Sequence, residues 1–166
     1  MASRSTFHLA CEILTDWLRR SVAHDPDLGD EEWSAILTAA RVHGVGPRLA
    51  PILGDAPWVP PEIAGWIEAE AEINRQRVGR LCVEGAEILG VAAALGVRVL
   101  PLKGLALSAH LPRREIERRP MADLDLLVRP GDLPALHDLL VELGYGRSSS
   151  KAKHDEYLPK AGRQVA

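Results

Sequence analysis

Cysteines and long hydrophobic runs are scarce in this sequence. Its two cysteines, Cys11 and Cys82, are too few for a disulfide framework, and each lies in a helical pattern where a small buried residue is common. No stretch approaches the roughly 18 uninterrupted apolar residues of a membrane-spanning helix. Charged residues appear early, at Glu12, Asp16 and Arg19, which argues against a secretory leader. We therefore expect a cytoplasmic protein without a membrane segment.

The sequence also has no large net charge of either sign. The chain has 20 basic and 23 acidic residues, so no general basic field attracts nucleic acid or an anionic membrane. Its six histidines show no paired spacing typical of a zinc site. Any function that depends on charge must therefore be local. A length of 166 residues fits one domain, or one domain with a helical appendage.

The first 95 residues have helical periodicity. Apolar residues recur at three- and four-residue steps near the N-terminus, and "EEWSAILTAARVHG" predicts a second helix. A long helix is predicted to begin after Pro60 and Pro61 and to continue to Leu95, on the order of 50 Å at 1.5 Å per residue. Gly79 and Gly85 are positions where it would bend or divide. We predict a helical region over residues 1–95.

The remaining residues, 96–166, favour a small sheet. "VRVLPL" predicts a buried strand, Lys103 and Gly104 a turn, and "LALSAHL" a short helix. The connector "PRREIERRP" leads to a second strand, "MADLDLLV", and to a helix rich in leucine. The polar stretch from Gly146 predicts a loop, with another strand starting near Gln164. The expected fold is α/β (α+β), with a helical N-terminal region packed on a small mixed-sheet core.

Two carboxylates, Asp123 and Asp125, interrupt the second predicted strand. Residues two apart in a strand point to the same face, so these carboxylates would lie side by side and repel each other. A divalent cation compensates such a pair, and Mg²⁺ (or Mn²⁺) commonly takes one or two carboxylates while leaving positions for water and substrate phosphates. The alternative is that one aspartate caps a turn and the other lies at an exposed strand end.

The turn at Lys103 and Gly104 precedes a helix, where free backbone N–H groups and the helix dipole favour an anion such as a triphosphate. A positive turn beside a strand with two metal ligands is the arrangement that nucleotidyl transfer needs. Four arginines precede the second strand, and Glu115 and Glu117 lie among them: Arg113, Arg114, Arg118 and Arg119. A solvated face or internal ion pairs are the alternative to phosphate binding, and at most one of the four is expected to be functional.

The segments "VLPLKGLALSAHL" and "RRPMADLDLLVRPGDLPALHDLLVELGY" resemble the uncharacterised bacterial nucleotidyltransferase family of the DNA polymerase beta-like superfamily. The resemblance extends from about Glu32 to Ala166. It implies that Asp123 and Asp125 are paired metal ligands and that Gly104 belongs to a nucleotide-binding turn. It also implies that Lys103 lies near the phosphates. Arg118 or Arg119 would reach phosphate oxygens.

The sequence departs from the superfamily at two points. Better-known members have Gly-Ser or Gly-Gly in the turn and a shorter gap to the acidic pair. They also supply a third carboxylate from a later strand, which we expect shortly after a segment similar to "GRQVA", where the printed sequence stops. A core truncated at its C-terminus is one expectation. The other is that Asp155 or Glu156 replaces the third ligand.

The resemblance implies a metal-dependent nucleotidyltransferase that transfers an NMP from an NTP such as ATP to an unknown acceptor, with release of pyrophosphate. The acceptor is a small molecule, a protein or a nucleic acid, and the sequence does not discriminate among them. The alternative is a catalytically incomplete nucleotide-binding module or a protein-interaction module. An unfinished core would expose a sheet edge, and pairing with another copy in a homo-oligomer would cover that edge.

Overall fold

A computed structural model describes residues 5–20, 25–151 and 154–160. Seven α-helices and four β-strands lie within these ranges, with single 3₁₀ turns at Gly46–Arg48 and Pro130–Asp132. The helices are α1 (Thr6–Arg20), α2 (Asp30–Val42), α3 (Ala50–Leu53), α4 (Pro61–Ala94), α5 (Lys103–Ser108), α6 (Arg113–Glu117) and α7 (Leu133–Glu142). The strands are β1 (Val99–Pro101), β2 (Leu126–Val128), β3 (Tyr145–Lys151) and β4 (His154–Pro159).

The chain forms two compact units. The first comprises residues 1–78 and 113–120, and the second comprises residues 79–112 and 121–166. The first unit therefore receives α6 from the middle of the chain. The predicted domain boundary after residue 95 stays a prediction.

Tryptophan rings form the centre of the first unit. The rings of Trp17, Trp33 and Trp58 lie with their centroids 5.9 to 6.2 Å apart. Aromatic rings at such distances gain contact energy beyond the area that they bury. Fully buried aliphatic side chains surround them: Ile36, Leu49, Leu53 and Ile67.

The long helix α4 confirms the prediction from helical periodicity. It is continuous through Gly79 and Gly85, and it ends before Gly96, which has a φ of +72° that suits glycine. Gly85 has a packing role, because a Cβ added there would lie 2.6 Å from Leu105 Cδ1. The missing side chain lets α5 approach α4 within the second unit. No helix in the described ranges has the length and apolar character that crossing a membrane requires.

Two antiparallel strand pairs lie in the second unit, and the α+β class is confirmed. In the first pair, Leu100 of β1 is opposite Leu127 of β2, and in the second pair Tyr145 of β3 is opposite Pro159 of β4. The described residues thus form two separate two-stranded sheets rather than one mixed sheet. Their shared core comprises Ile88, Ala92, Val97, Leu136, Leu139, Leu140 and Tyr145.

Two segments predicted as irregular are regular in the structure. The polar stretch from Gly146 forms most of the β3–β4 hairpin, and the connector before the second strand contains α6. The loop prediction was wrong because strand pairing satisfies backbone groups even where most side chains are polar and face water. In β4, Tyr157 is half-buried while Glu156 and Leu158 are exposed. The strand predicted near Gln164 lies outside the described residues.

Candidate active site

The turn between β1 and α5 lies directly beside Asp125. The backbone nitrogen of Leu102 donates a hydrogen bond to the backbone oxygen of Asp125 at 2.9 Å, which extends the β1–β2 pairing by one step. Lys103 follows with a φ of +46°, a left-handed conformation that is uncommon for a residue with a side chain. Such conformations cluster at functional sites, where the surrounding structure holds them in place.

The aspartate-bearing strand is shorter than predicted. β2 begins at Leu126, so Asp123 and Asp125 precede it rather than lie within it. The alternation of faces nevertheless extends through this segment, because Leu124, Leu126 and Val128 all pack against the core of the second unit. Asp125 is left with 29% of its side chain exposed, and Asp123 is exposed.

The side chain of Lys103 forms an ion pair with Asp125. Its ammonium Nζ lies 3.0 Å from Asp125 Oδ1, within hydrogen-bonding distance. The pKa of Lys103 is raised above its ordinary value, mainly by this hydrogen bond and then by the charge of Asp125, with a smaller contribution from the charge of Asp123. The structure thus brings Lys103, Asp123 and Asp125 into one electrostatic cluster on the surface of the second unit.

Gly104 has a packing reason to be glycine. A Cβ at this position would lie 2.5 Å from Met121 Sδ and 3.0 Å from its Cγ. Met121 is buried, which limits its freedom to move away. The resemblance implied a nucleotide-binding role for Gly104, and that role stays a prediction beside this packing explanation.

The two candidate arginines differ in their contacts. Arg118 Nη1 lies 3.6 Å from Glu115 Oε1, which matches the predicted alternative of internal ion pairing. No ion pair or hydrogen bond engages the Arg119 side chain within the described part of the chain. Both arginines belong to the first unit and both aspartates to the second, so a joint role on phosphate stays a prediction.

Asn74 is a contributor that the sequence reasoning missed. It is 4% exposed, and its Nδ2 donates to the backbone oxygens of Glu117 at 2.6 Å and Arg119 at 3.3 Å. It therefore holds the end of α6 and the chain that follows against α4 inside the first unit. The available signal was an amide within a helix whose buried positions are otherwise apolar.

The two candidates for a third carboxylate are engaged in the other sheet. Asp155 is 11% exposed in its side chain, with Oδ2 3.9 Å from Arg147 Nη1, and Glu156 Oε2 accepts a hydrogen bond from Ser149 Oγ at 2.8 Å. Both acids lie on β4, which pairs with β3 and not with β2. In the ranges that the structure describes, no three potential metal-ligating acids, histidines or cysteines come together.

The residues present fit a magnesium site of the open type. Two carboxylates supply hard oxygen ligands on an exposed surface, and Mg²⁺ commonly takes one or two carboxylates and completes its coordination with water and phosphate. The exposure of Asp123 and the partial exposure of Asp125 leave room for such ligands. Asp123 and Asp125 would hold the ion.

A protein-family comparison assigns the chain to a family. A family described as uncharacterised nucleotidyltransferase matches residues 29–166. The chain belongs to this family. The match spans most of the chain and confirms the predicted resemblance to an uncharacterised nucleotidyltransferase family, which extended from about Glu32 to Ala166. No curated protein and no solved structure matches the chain. Family membership supports a nucleotidyltransferase role in general terms and leaves the metal, the nucleotide and the acceptor undefined.

Proposed function

We propose that this chain is a cytoplasmic, metal-dependent nucleotidyltransferase that transfers an NMP from an NTP to a hydroxyl group of an acceptor. The observation that carries the proposal is the cluster of Lys103, Asp123 and Asp125 on one surface of the second unit, in a member of a nucleotidyltransferase family. A pair of carboxylates beside an ammonium group is suited to a metal–triphosphate complex, which carries charges of both signs.

Each member of the cluster has a separate role in this proposal. Asp123 and Asp125 bind the metal through their carboxylate oxygens. Lys103 donates to a phosphate oxygen, and its left-handed backbone places it at the start of α5 beside Asp125. Arg119, whose side chain makes no ion pair among the described residues, is the better of the two arginine candidates for a phosphate contact.

The reaction needs positioning and charge neutralisation rather than a protein nucleophile. The acceptor oxygen forms a bond to the α-phosphorus, the bond from that phosphorus to the bridging oxygen of the β-phosphate breaks, and pyrophosphate leaves. The acceptor proton passes to water. When bound, Mg²⁺ neutralises the charge that develops on the phosphate oxygens. The ammonium of Lys103, at the start of α5, stabilises the charge on the phosphate oxygens as well.

The contacts of Asp155 and Glu156 favour a second candidate function. Both acids are engaged within the β3–β4 hairpin, with Arg147 and Ser149 respectively. If neither acts as a third ligand and no other carboxylate takes that place, the chain is a nucleotide-binding module that binds metal and NTP without turnover. The acceptor, whether a small molecule, a protein or a nucleic acid, would then have no role.

Calorimetric titration tests the binding part of the proposal. ATP, CTP, GTP and UTP are titrated with and without Mg²⁺ into the natural chain and into Asp123→Asn/Asp125→Asn. We expect Mg²⁺-dependent binding in the natural chain and its loss in the variant. Asp138→Asn is the matched control, because Asp138 is an exposed aspartate on α7 and its replacement should leave binding unchanged.

Transfer is tested separately from binding. Incubation with α-labelled NTP and candidate acceptors should move label into a product and release pyrophosphate. Binding without any transfer supports the nucleotide-binding module instead. Absence of Mg²⁺-dependent nucleotide binding in a folded sample of the natural chain contradicts both functions.

A further inference from the structure

The ammonium of Lys103 lies where a bound metal ion would compete with it. Asp125 Oδ1 is 3.0 Å from Lys103 Nζ, and Asp125 is one of the two carboxylates that fit the ion. A metal ligand must offer its lone pairs to the ion, and the Lys103 ammonium already engages one oxygen of this carboxylate. Without nucleotide, the lysine is therefore the counter-ion of the acidic pair.

The backbone keeps this counter-ion close to Asp125. The hydrogen bond from Leu102 N to Asp125 O joins the turn to the aspartate segment, and Lys103 follows immediately in its left-handed conformation. Leu105, two residues later, is buried against Gly85. These contacts hold the turn on both sides of Lys103, while its side chain remains 71% exposed and free to change partner.

From this geometry we infer that Lys103 is an exchangeable counter-ion that couples metal binding to nucleotide binding. In the nucleotide-free protein, Lys103 pairs with Asp125 and weakens the binding of a free divalent cation. When the metal–triphosphate complex binds, the ammonium leaves Asp125 for a phosphate oxygen and the carboxylate becomes fully available to the ion. Lys103 then contacts the substrate phosphate directly, and this inference rests on the proposed function.

The change of Lys103 from Asp125 to a phosphate oxygen involves only modest interaction energies, so it is reversible. An ion pair between exposed groups contributes little to stability because water and salt screen it. A charge-assisted hydrogen bond to a phosphate oxygen is a stronger contact when water is displaced by the ligand. Because coupling between two ligands is reciprocal, nucleotide must strengthen metal binding by the same factor as metal strengthens nucleotide binding.

Mn²⁺ is the probe for the metal side of this coupling. Free Mn²⁺ is measured by electron paramagnetic resonance during titration of the natural chain, with and without α,β-methylene ATP, which blocks transfer. For Lys103→Met we expect binding of Mn²⁺ alone to strengthen by about 2- to 5-fold, the size of an exposed ion pair. Binding of the nucleotide analogue should weaken by about tenfold, as for the loss of a charged hydrogen bond.

Two further variants make the comparison specific. Lys160→Met removes a lysine whose side chain lies beside Gly146 in the β3–β4 hairpin, and it should bind Mn²⁺ and the analogue as the natural chain does. Lys103→Arg keeps the charge and should restore most of the analogue binding. This second result separates the loss of the ammonium from a structural defect of the turn.

The possible failures are distinguishable. One failure is that Lys103→Met binds Mn²⁺ alone with the affinity of the natural chain or more weakly. If the variant Asp125→Asn has at the same time lost Mn²⁺ binding, the exchange is wrong and the proposed function stands. If the natural chain binds no Mn²⁺ through Asp123 and Asp125 even with the analogue, the proposed function and the exchange are both wrong. An equal effect in Lys160→Met attributes the change to overall charge and overturns the exchange.

Discussion

The side-chain nitrogen of Asn74 lies 2.6 Å from the backbone oxygen of Glu117, the last residue of α6. The same amide reaches the backbone oxygen of Arg119 at 3.3 Å. A buried amide with two carbonyl partners is well satisfied, and its removal leaves those carbonyls without their donor. The contact thus holds the segment that leads toward the aspartates.

Replacing Asn74 by leucine is expected to destabilise the first unit by about 1–3 kcal/mol, because two carbonyl oxygens lose their shared donor. All four tryptophans lie in this unit, so urea unfolding followed by tryptophan fluorescence reports on it directly. Gln76→Leu is the control, because Gln76 is exposed on the same helix and its side chain bonds only Glu72 among the residues that the structure describes. Equal stability of the two variants would contradict the role of Asn74.

Replacing glycines in α4 by alanine should have opposite effects at two positions. At Gly90 an added Cβ meets none of the described residues within 4 Å, so Gly90→Ala should stabilise the protein by up to about 1 kcal/mol through helix propensity. At Gly85 the Cβ would meet Leu105, and overpacking costs about 1–3 kcal/mol. Circular dichroism during urea unfolding measures both. Gly85→Ala as stable as Gly90→Ala would refute the close approach of α5.

A double-mutant cycle separates the two explanations of Gly104. Gly104→Ala alone is expected to destabilise by about 1–3 kcal/mol because of Met121. In a Met121→Ala background, this cost should fall close to zero, since the obstructing side chain is gone. ATP binding by the double variant is then decisive for function. Weak binding indicates a close approach of nucleotide to Gly104, and binding equal to that of Met121→Ala indicates packing alone.

The free energy of unfolding should fall at alkaline pH because the Tyr157 phenol ionises. Burial raises the pKa of Tyr157 above its ordinary value of 10.0, the charge of Asp155 adds to this, and Arg147 opposes it. Between the ordinary and the raised pKa, the unfolded chain has lost the phenolic proton while the folded protein keeps it. The contribution of Tyr157 is thus complete below pH 10.0 and is lost as pH rises through the folded pKa.

Tyr157→Phe provides the comparison. Urea unfolding at a series of pH values from 8 upward should show a steeper loss of stability in the natural chain than in the variant. Titration followed by tyrosinate absorbance should also give Tyr157 a pKa above that of free tyrosine. Parallel pH profiles of the two proteins would be incompatible with a raised pKa.

Several elements could be predicted from the sequence because their signals are local. The apolar period of α4, the glycine that follows it and the β-branched run of β1 depend on neighbouring residues. The hairpin of β3 and β4 was missed because its strands are largely polar and lack the alternation of apolar and polar residues that marks a half-buried strand. The short α6 was missed because five residues carry little periodicity.

The sequence by itself determined the chemistry that is available: two carboxylates separated by one leucine, a lysine before a glycine, and the motif that identifies the nucleotidyltransferase family. Residue types and short spacings carry this information directly. Only the tertiary structure decided which groups meet. Lys103 and Asp125 are 22 positions apart, and their contact depends on the pairing of β1 with β2, which is a long-range interaction. The same reason explains why the local sequence did not show that Met121 lies beside Gly104 or that Asn74 bonds the end of α6.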